Sequence, residues 1–100
     1  MIPVAADAEQ ALAMIRSHPD GTVVDVRDEE EYITGHLADA VLLPVDEISA
    51  ETAAEALPDQ SSPVLVYCKT GKRSRAAAEK LAALGYSELG GLGGWPYGLE

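Results

Sequence analysis

Val64-Leu65-Val66-Tyr67-Cys68-Lys69-Thr70-Gly71-Lys72-Arg73-Ser74 runs from an unbroken apolar segment into a polar turn containing glycine, and then into an alanine-rich stretch ending at Leu84. Four apolar residues without alternation suit a central parallel strand covered on both faces. Ser74 to Leu84 predicts a helix, with Gly85 as the residue that stops it. In sheets of this kind ligands bind beyond the carboxyl ends of the strands. The only cysteine of the chain, Cys68, follows directly on the strand and so stands where such an architecture places its chemistry.

The same pattern extends outward in both directions. Ala8 to Ser17 carries apolar residues at helical spacing, and His18-Pro19-Asp20-Gly21 stops it. Thr22 to Val26 is a β-branched strand. Asp28 caps a brief acidic helix, Glu29 to Ile33, ended by Gly35. Ala40 to Leu43 reads as a further strand closed by Pro44. Asp46 is expected to cap a helix reaching about Ala56, and the segment 58–63 is a loop. Glu88-Leu89 predicts a last short strand ahead of the glycine-rich run 90–94. Strands alternating with helices imply an α/β fold, a small three-layer sandwich whose central, mainly parallel sheet is flanked by helices. No repeat or linker divides the 100 residues, so a single domain spanning 1–100 is expected. Leu99-Glu100 resembles a cloning remnant and carries no weight.

The chain has 17 acidic and 7 basic residues, a formal charge of −10, which argues against nucleic acid and anionic membrane as partners. The charge is unevenly spread. Five of the seven basic residues (Lys69, Lys72, Arg73, Arg75 and Lys80) follow Cys68 within a dozen positions. An acidic body with one basic island selects for small anions. A lone cysteine excludes an internal disulfide, and the absence of a second cysteine or a histidine cluster leaves no metal site. No cofactor is expected. Met1-Ile2-Pro3-Val4 lacks the features of a secretory leader, and no apolar run approaches the roughly 20 residues of a membrane span. A reducing, cytoplasmic location is therefore expected.

A free cysteine is most often a buried structural thiol. Lys, Thr, Gly, Lys and Arg do not make an apolar pocket, however. A glycine-bearing turn between strand and helix can point its N–H groups inward as an anion cradle, and a helix start adds partial positive charge. Cys68 is thus expected to ionise readily and act as a nucleophile.

Three blocks make the chain similar to the rhodanese-like domain family. Val24-Asp25-Val26-Arg27 with Glu31-Tyr32, Gly35-His36, Ala40 and Pro44 resembles the family's first signature. Cys68 to Arg73, followed by Ser74, resembles its six-residue active-site loop, Cys-x-x-Gly-x-Arg. Gly90-Gly91-Leu92-Gly93-Gly94-Trp95 resembles its C-terminal Gly-Gly-x-x-x-Trp. Past the tryptophan the resemblance weakens, because family members often carry a longer helix there.

The resemblance implies a sulfurtransferase that moves sulfane sulfur from an anionic donor such as thiosulfate to a thiol or cyanide acceptor through a persulfide. Carried onto this chain, Cys68 is the nucleophile and sulfur carrier. The backbone of Lys69, Thr70, Gly71, Lys72 and Arg73 is the persulfide cradle, and Lys72 and Arg73, with Lys69, anchor the donor. Asp25, Arg27 and Ser74 are expected to be structural near the site, with Arg27 paired to a nearby acid such as Glu31. Tyr67 and Trp95 are assigned to the core, and His36 to packing or hydrogen bonding. Related phosphatases have a loop one residue longer. Two alternatives stand beside the free enzyme: a persulfide relay to a protein acceptor, and an interaction module of the same fold. Modules of that kind usually lack the loop cysteine. The acidic segments 28–31 and 46–59 read as solvated surface rather than as a dock for a basic partner.

Overall fold

The computed structural model describes residues 4–94, so Trp95 and Leu99-Glu100 lie outside the described residues, as does the side chain of Ala8. Four helices and four strands alternate: α1 (Ala8–Ser17), β1 (Thr22–Asp25), α2 (Glu29–Thr34), β2 (Val41–Leu42), α3 (Ala50–Ala56), β3 (Val64–Cys68), α4 (Lys72–Leu84) and β4 (Leu89–Gly94). The strands form one parallel sheet in the order β2-β1-β3-β4. β3 is buried along its whole length. That burial explains its unbroken apolar sequence, because each of its two faces meets a layer of helices.

Strand alternation divides the core. Val64, Val66 and Cys68 pack with Val24 and Val26 of the β1 segment against Ala53, Ala77, Ala78 and Leu81 of α3 and α4. Leu65 and Tyr67 face the opposite layer, with Ala11, Leu12, Met14 and Ile15 of α1 and with Tyr32 of α2. The result is the expected three-layer sandwich. Close packing of α1 needs a bare backbone on β4: a Cβ at Gly90 would stand 2.8 Å from both Leu65 Cδ2 and Met14 Cε.

Several elements differ from expectation. Asp46 caps no α-helix: residues Val45–Glu47 form a single 3-10 turn, and α3 is capped by Ser49, whose hydroxyl accepts from the Thr52 N–H at 3.2 Å. Serine at the start and an alanine-rich run behind it are the stronger signal. α4 begins at Lys72 rather than Ser74, which brings its N-terminus next to Cys68. The glycine run is itself the edge strand β4, reaching from Leu89 to Gly94, because Tyr67 and Cys68 supply ladder partners for Gly93 and Gly94.

At the carboxyl end of the sheet lies a buried charge cluster. Asp25 has no exposed surface, and the Arg27 side chain folds back on it, Nη2 donating to Oδ2 at 2.6 Å and Nε to Oδ1 at 3.0 Å. The Tyr67 hydroxyl, next to Asp25 in the strand register, donates to Oδ2 at 2.8 Å and accepts from the Leu37 N–H at 3.0 Å. Arg27 Nη2 also donates to the Gly35 carbonyl at 2.7 Å. Arg27 therefore pairs with Asp25, not with Glu31, because the side chain two residues along the same strand edge is already held in the core. The Asp25 hydrogen bond raises the Arg27 pKa, and burial pushes the Tyr67 phenol well up, so both remain donors. Replacing Tyr67 by Phe removes the acceptor of the buried Leu37 N–H. The expected loss is about 1–3 kcal/mol of stability, read as a lower urea midpoint at unchanged slope.

Candidate active site

Cys68 ends β3 and its residue is fully covered. The chain turns at once through Lys69 and Thr70 to Gly71, which adopts φ 90°, ψ −11° as the N-cap of α4. Space around Gly71 is adequate, since a Cβ there would meet nothing nearer than 3.8 Å. The backbone conformation is what calls for glycine. In that geometry the Gly71 N–H donates to Cys68 Sγ at 2.9 Å. Ser74 is buried and its hydroxyl donates to the Gly71 carbonyl at 3.0 Å, bracing the turn.

Burial pushes the Cys68 thiol up, but the backbone N–H and hydroxyl of Ser74 and the N–H groups of Thr70 and Gly71 outweigh it, so the net shift is downward. The sequence assigned this acidity to the cations as well. In the structure the amides and Ser74 carry most of it, and the earlier start of α4 is the reason: it brings the N–H groups of its first turn close to the sulfur.

The basic island is narrower in space than in sequence. The side chain of Lys80 reaches away and donates to the Val45 carbonyl at 2.8 Å. Arg73 donates to Glu31 of α2 through Nη1 at 2.7 Å and Nη2 at 3.1 Å. Lys69, Lys72 and Arg75 remain exposed around the turn. Beside it runs a groove of about 830 Å³, whose lining includes Thr70, Gly71, Lys72, Ser74, Arg75 and Ala78. Of the expected site residues, the structure gathers Cys68, Thr70, Gly71 and Ser74 about one sulfur atom and places Lys69 and Lys72 at its rim. It sets Asp25 and Arg27 in the buried cluster on the opposite face of the sheet.

The side chain that residue-level reading missed is Tyr67, which links β3 to Asp25. A buried tyrosine needs a partner for its hydroxyl, and Asp25 on a neighbouring strand was the available signal. The partner of Arg73 was missed too, because Glu31 was assigned to Arg27. His36 stacks on Tyr32 with ring centroids 3.7 Å apart, and its Nδ1 donates to the Tyr32 carbonyl at 2.8 Å, the packing role expected for it. Among the described residues no three His, Cys, Asp or Glu side chains are grouped to hold a metal ion, and no helix is long and apolar enough to cross a membrane.

A parallel sheet whose central strand ends in a cysteine at the head of a turn into a helix is accompanied by similarity to known proteins. The chain belongs to the rhodanese-like domain family, whose family model matches residues 7–96. It is 37% identical over 87 residues to the thiosulfate sulfurtransferase PspE of Escherichia coli, covering 84% of this chain and 83% of that protein. It is 35% identical over 80 residues to the thiosulfate sulfurtransferase GlpE of Coxiella burnetii, covering 76% and 72%. A solved structure of a rhodanese with anions from E. coli superposes with a TM-score of 0.71 at 34% identity, over 80% of this chain and 91% of that one. An uncharacterised Saccharomyces cerevisiae protein, 23% identical, shares the fold with a TM-score of 0.76 over 94% of this chain and 88% of that one.

The Glu31 carboxyl is held down at about 2, chiefly by the Arg73 hydrogen bonds. Because its folded pKa lies below the unfolded value of about 4.3, the pair stabilises fully above that pH and fades only as pH falls toward 2. Alkylation at neutral and alkaline pH therefore reports Cys68 alone. Iodoacetamide rates should show a midpoint below the free-cysteine value of about 8.5. Ser74→Ala should move that midpoint upward. Burial raises that midpoint and the hydrogen bonds of the turn lower it, so the observed value reports their balance.

Proposed function

We propose that this protein is a thiosulfate sulfurtransferase in which Cys68 carries the sulfur as a persulfide. The observation that carries the reading is the Gly71 N–H at 2.9 Å from Sγ, in a turn whose other polar groups also favour the charged sulfur. The names of the two relatives above support the choice of donor.

In the first step the Cys68 thiolate attacks the outer sulfur of thiosulfate. A Cys68–sulfur bond forms, the sulfur–sulfur bond of the donor breaks, and its electron pair leaves with sulfite. Donor and nucleophile are both anionic, so their approach needs neutralisation, which exposed Lys69 and Lys72 provide at the rim. The terminal persulfide sulfur then bears the charge. The N–H groups of the turn, gathered about Sγ, are the donors at hand to stabilise it. In the second step cyanide or a thiolate attacks the outer sulfur, and its departure restores the Cys68 thiolate. The residues Lys69 to Arg73 act as the cradle, with Asp25, Arg27 and Ser74 as its support. No metal or organic cofactor enters either step.

A chemistry that depends on a reduced thiol suits the cytoplasm, and the acidic surface disfavours nucleic acid and anionic membranes as partners. Delivery of the persulfide to a protein thiol is the second reading. It is favoured by the groove beside the turn, which is larger than thiosulfate needs.

Cys68→Ser should remove all transfer from thiosulfate to cyanide while leaving the urea midpoint near that of the parent. Cysteine-dependent hydrolysis of aryl phosphates should be absent, because Arg73 falls five positions after Cys68 and the turn closes on one sulfur atom rather than on a phosphoryl group. Turnover by the folded serine variant, or phosphatase activity comparable to sulfur transfer, would overturn the assignment.

A further inference from the structure

The turn around Cys68 is flanked by a side-chain pair that bridges 42 positions of sequence. Arg73, in the first turn of α4, meets Glu31 of α2 in a two-pronged ion pair, Nη1 to Oε1 at 2.7 Å and Nη2 to Oε2 at 3.1 Å. Both side chains are about two-thirds buried, 33% and 29% exposed. Glu31 is itself fixed from its own helix: its Oε1 accepts from the Asp28 N–H at 3.1 Å, as the second half of the capping box that starts α2. α2 in turn ends at Gly35, whose carbonyl accepts from buried Arg27. The carboxylate is thus anchored before it meets the guanidinium.

Two consequences follow from the geometry. A forked guanidinium held by both carboxylate oxygens has one orientation, and Arg73 lies two residues after Gly71, whose N–H contacts the sulfur. Loss of the fork frees the first turn of α4 to shift relative to Sγ. The same fork also occupies the guanidinium with a carboxylate, which offsets its charge toward an incoming anion.

We propose that Glu31 is a positioning residue for sulfur transfer: by clamping Arg73 it holds the turn's N–H groups on Cys68, and it leaves recognition of the anionic donor to Lys69 and Lys72. The inference rests on the sulfurtransferase reading above. It assigns Arg73 to orientation rather than to donor anchoring.

The test is single-turnover persulfide formation with thiosulfate, which yields a limiting rate and a half-saturating concentration for each variant. Glu31→Gln should lower the limiting rate by about tenfold or more, the scale of a small misplacement of reacting groups, with the half-saturating concentration changed by less than about twofold. Its alkylation midpoint should also rise. Arg73→Lys should behave like Glu31→Gln, since an ammonium keeps the charge but not the fork. Lys72→Ala should do the reverse, raising the half-saturating concentration at a nearly constant limiting rate. If Arg73 instead anchors the donor, Glu31→Gln frees a cation and lowers the half-saturating concentration, and Arg73→Lys retains most activity. Either result overturns the proposal. A merely structural pair would lower the urea midpoint while leaving the limiting rate and alkylation midpoint of the folded protein unchanged, which also overturns it. Glu31→Asp, shorter by one methylene but still charged, should show the same split to a smaller degree and serves if the glutamine variant fails to fold. An unmodified protein that forms no persulfide would sink the sulfurtransferase reading itself. Normal transfer with an unaffected Glu31→Gln variant would sink only this inference.

Discussion

A carboxylate with no exposed surface, Asp25, sets the terms for one end of this molecule. An unpaired buried charge costs several kcal/mol, so each neighbour must supply a donor. Arg27 folds back over two residues to do so, and Tyr67 turns its hydroxyl to the same oxygen from the adjacent strand. The donors left over by that arrangement reach further, from Arg27 to the Gly35 carbonyl and from the Leu37 N–H to Tyr67. The segment that closes α2 is thereby tied to the carboxyl edge of the sheet. α2 carries Glu31, Glu31 holds Arg73, and Arg73 lies in the first turn of α4, directly after the turn that surrounds Cys68. A polar path thus joins the buried cluster to the sulfur, although the two lie on opposite faces of β3.

The sulfur itself is under opposing influences. Burial disfavours the thiolate, whereas the turn and the first residues of α4 favour it, and the second effect prevails. This balance suits a group that must change partners. A fully solvated thiolate would be stabilised by water and would gain little from the turn. A thiol buried in an apolar pocket would stay protonated. Placing Cys68 at the last position of a buried strand, with a left-handed glycine three residues later, achieves both shielding and charge stabilisation.

Much of this was legible in the residues. The unbroken apolar run of β3, the alternation with helical segments and the glycine stop at Gly85 defined the layers and the parallel sheet. The polar composition of the turn marked Cys68 as reactive. What was not legible depends on distances between segments far apart in the chain. Glu31 had two arginines to choose from, and only the folded strand edge reveals that Arg27 is already taken by Asp25. Tyr67 looked like one more apolar residue because its partner lies on another strand. The glycine run concealed β4, since glycine disfavours strands and its role here is to admit α1 at close range. Asp46 and Ser49 are both plausible helix caps by type, and the backbone path after Pro44 decides in favour of Ser49.

The central claim is that one sulfur atom resides on Cys68 between donor and acceptor. Intact mass after incubation with thiosulfate and removal of excess donor tests it most directly. The account predicts a gain of one sulfur atom per chain, lost in stoichiometric exchange for thiocyanate when cyanide is added, and no gain in Cys68→Ser. Sulfur transfer without a mass gain, or a gain that survives loss of the cysteine, would contradict it.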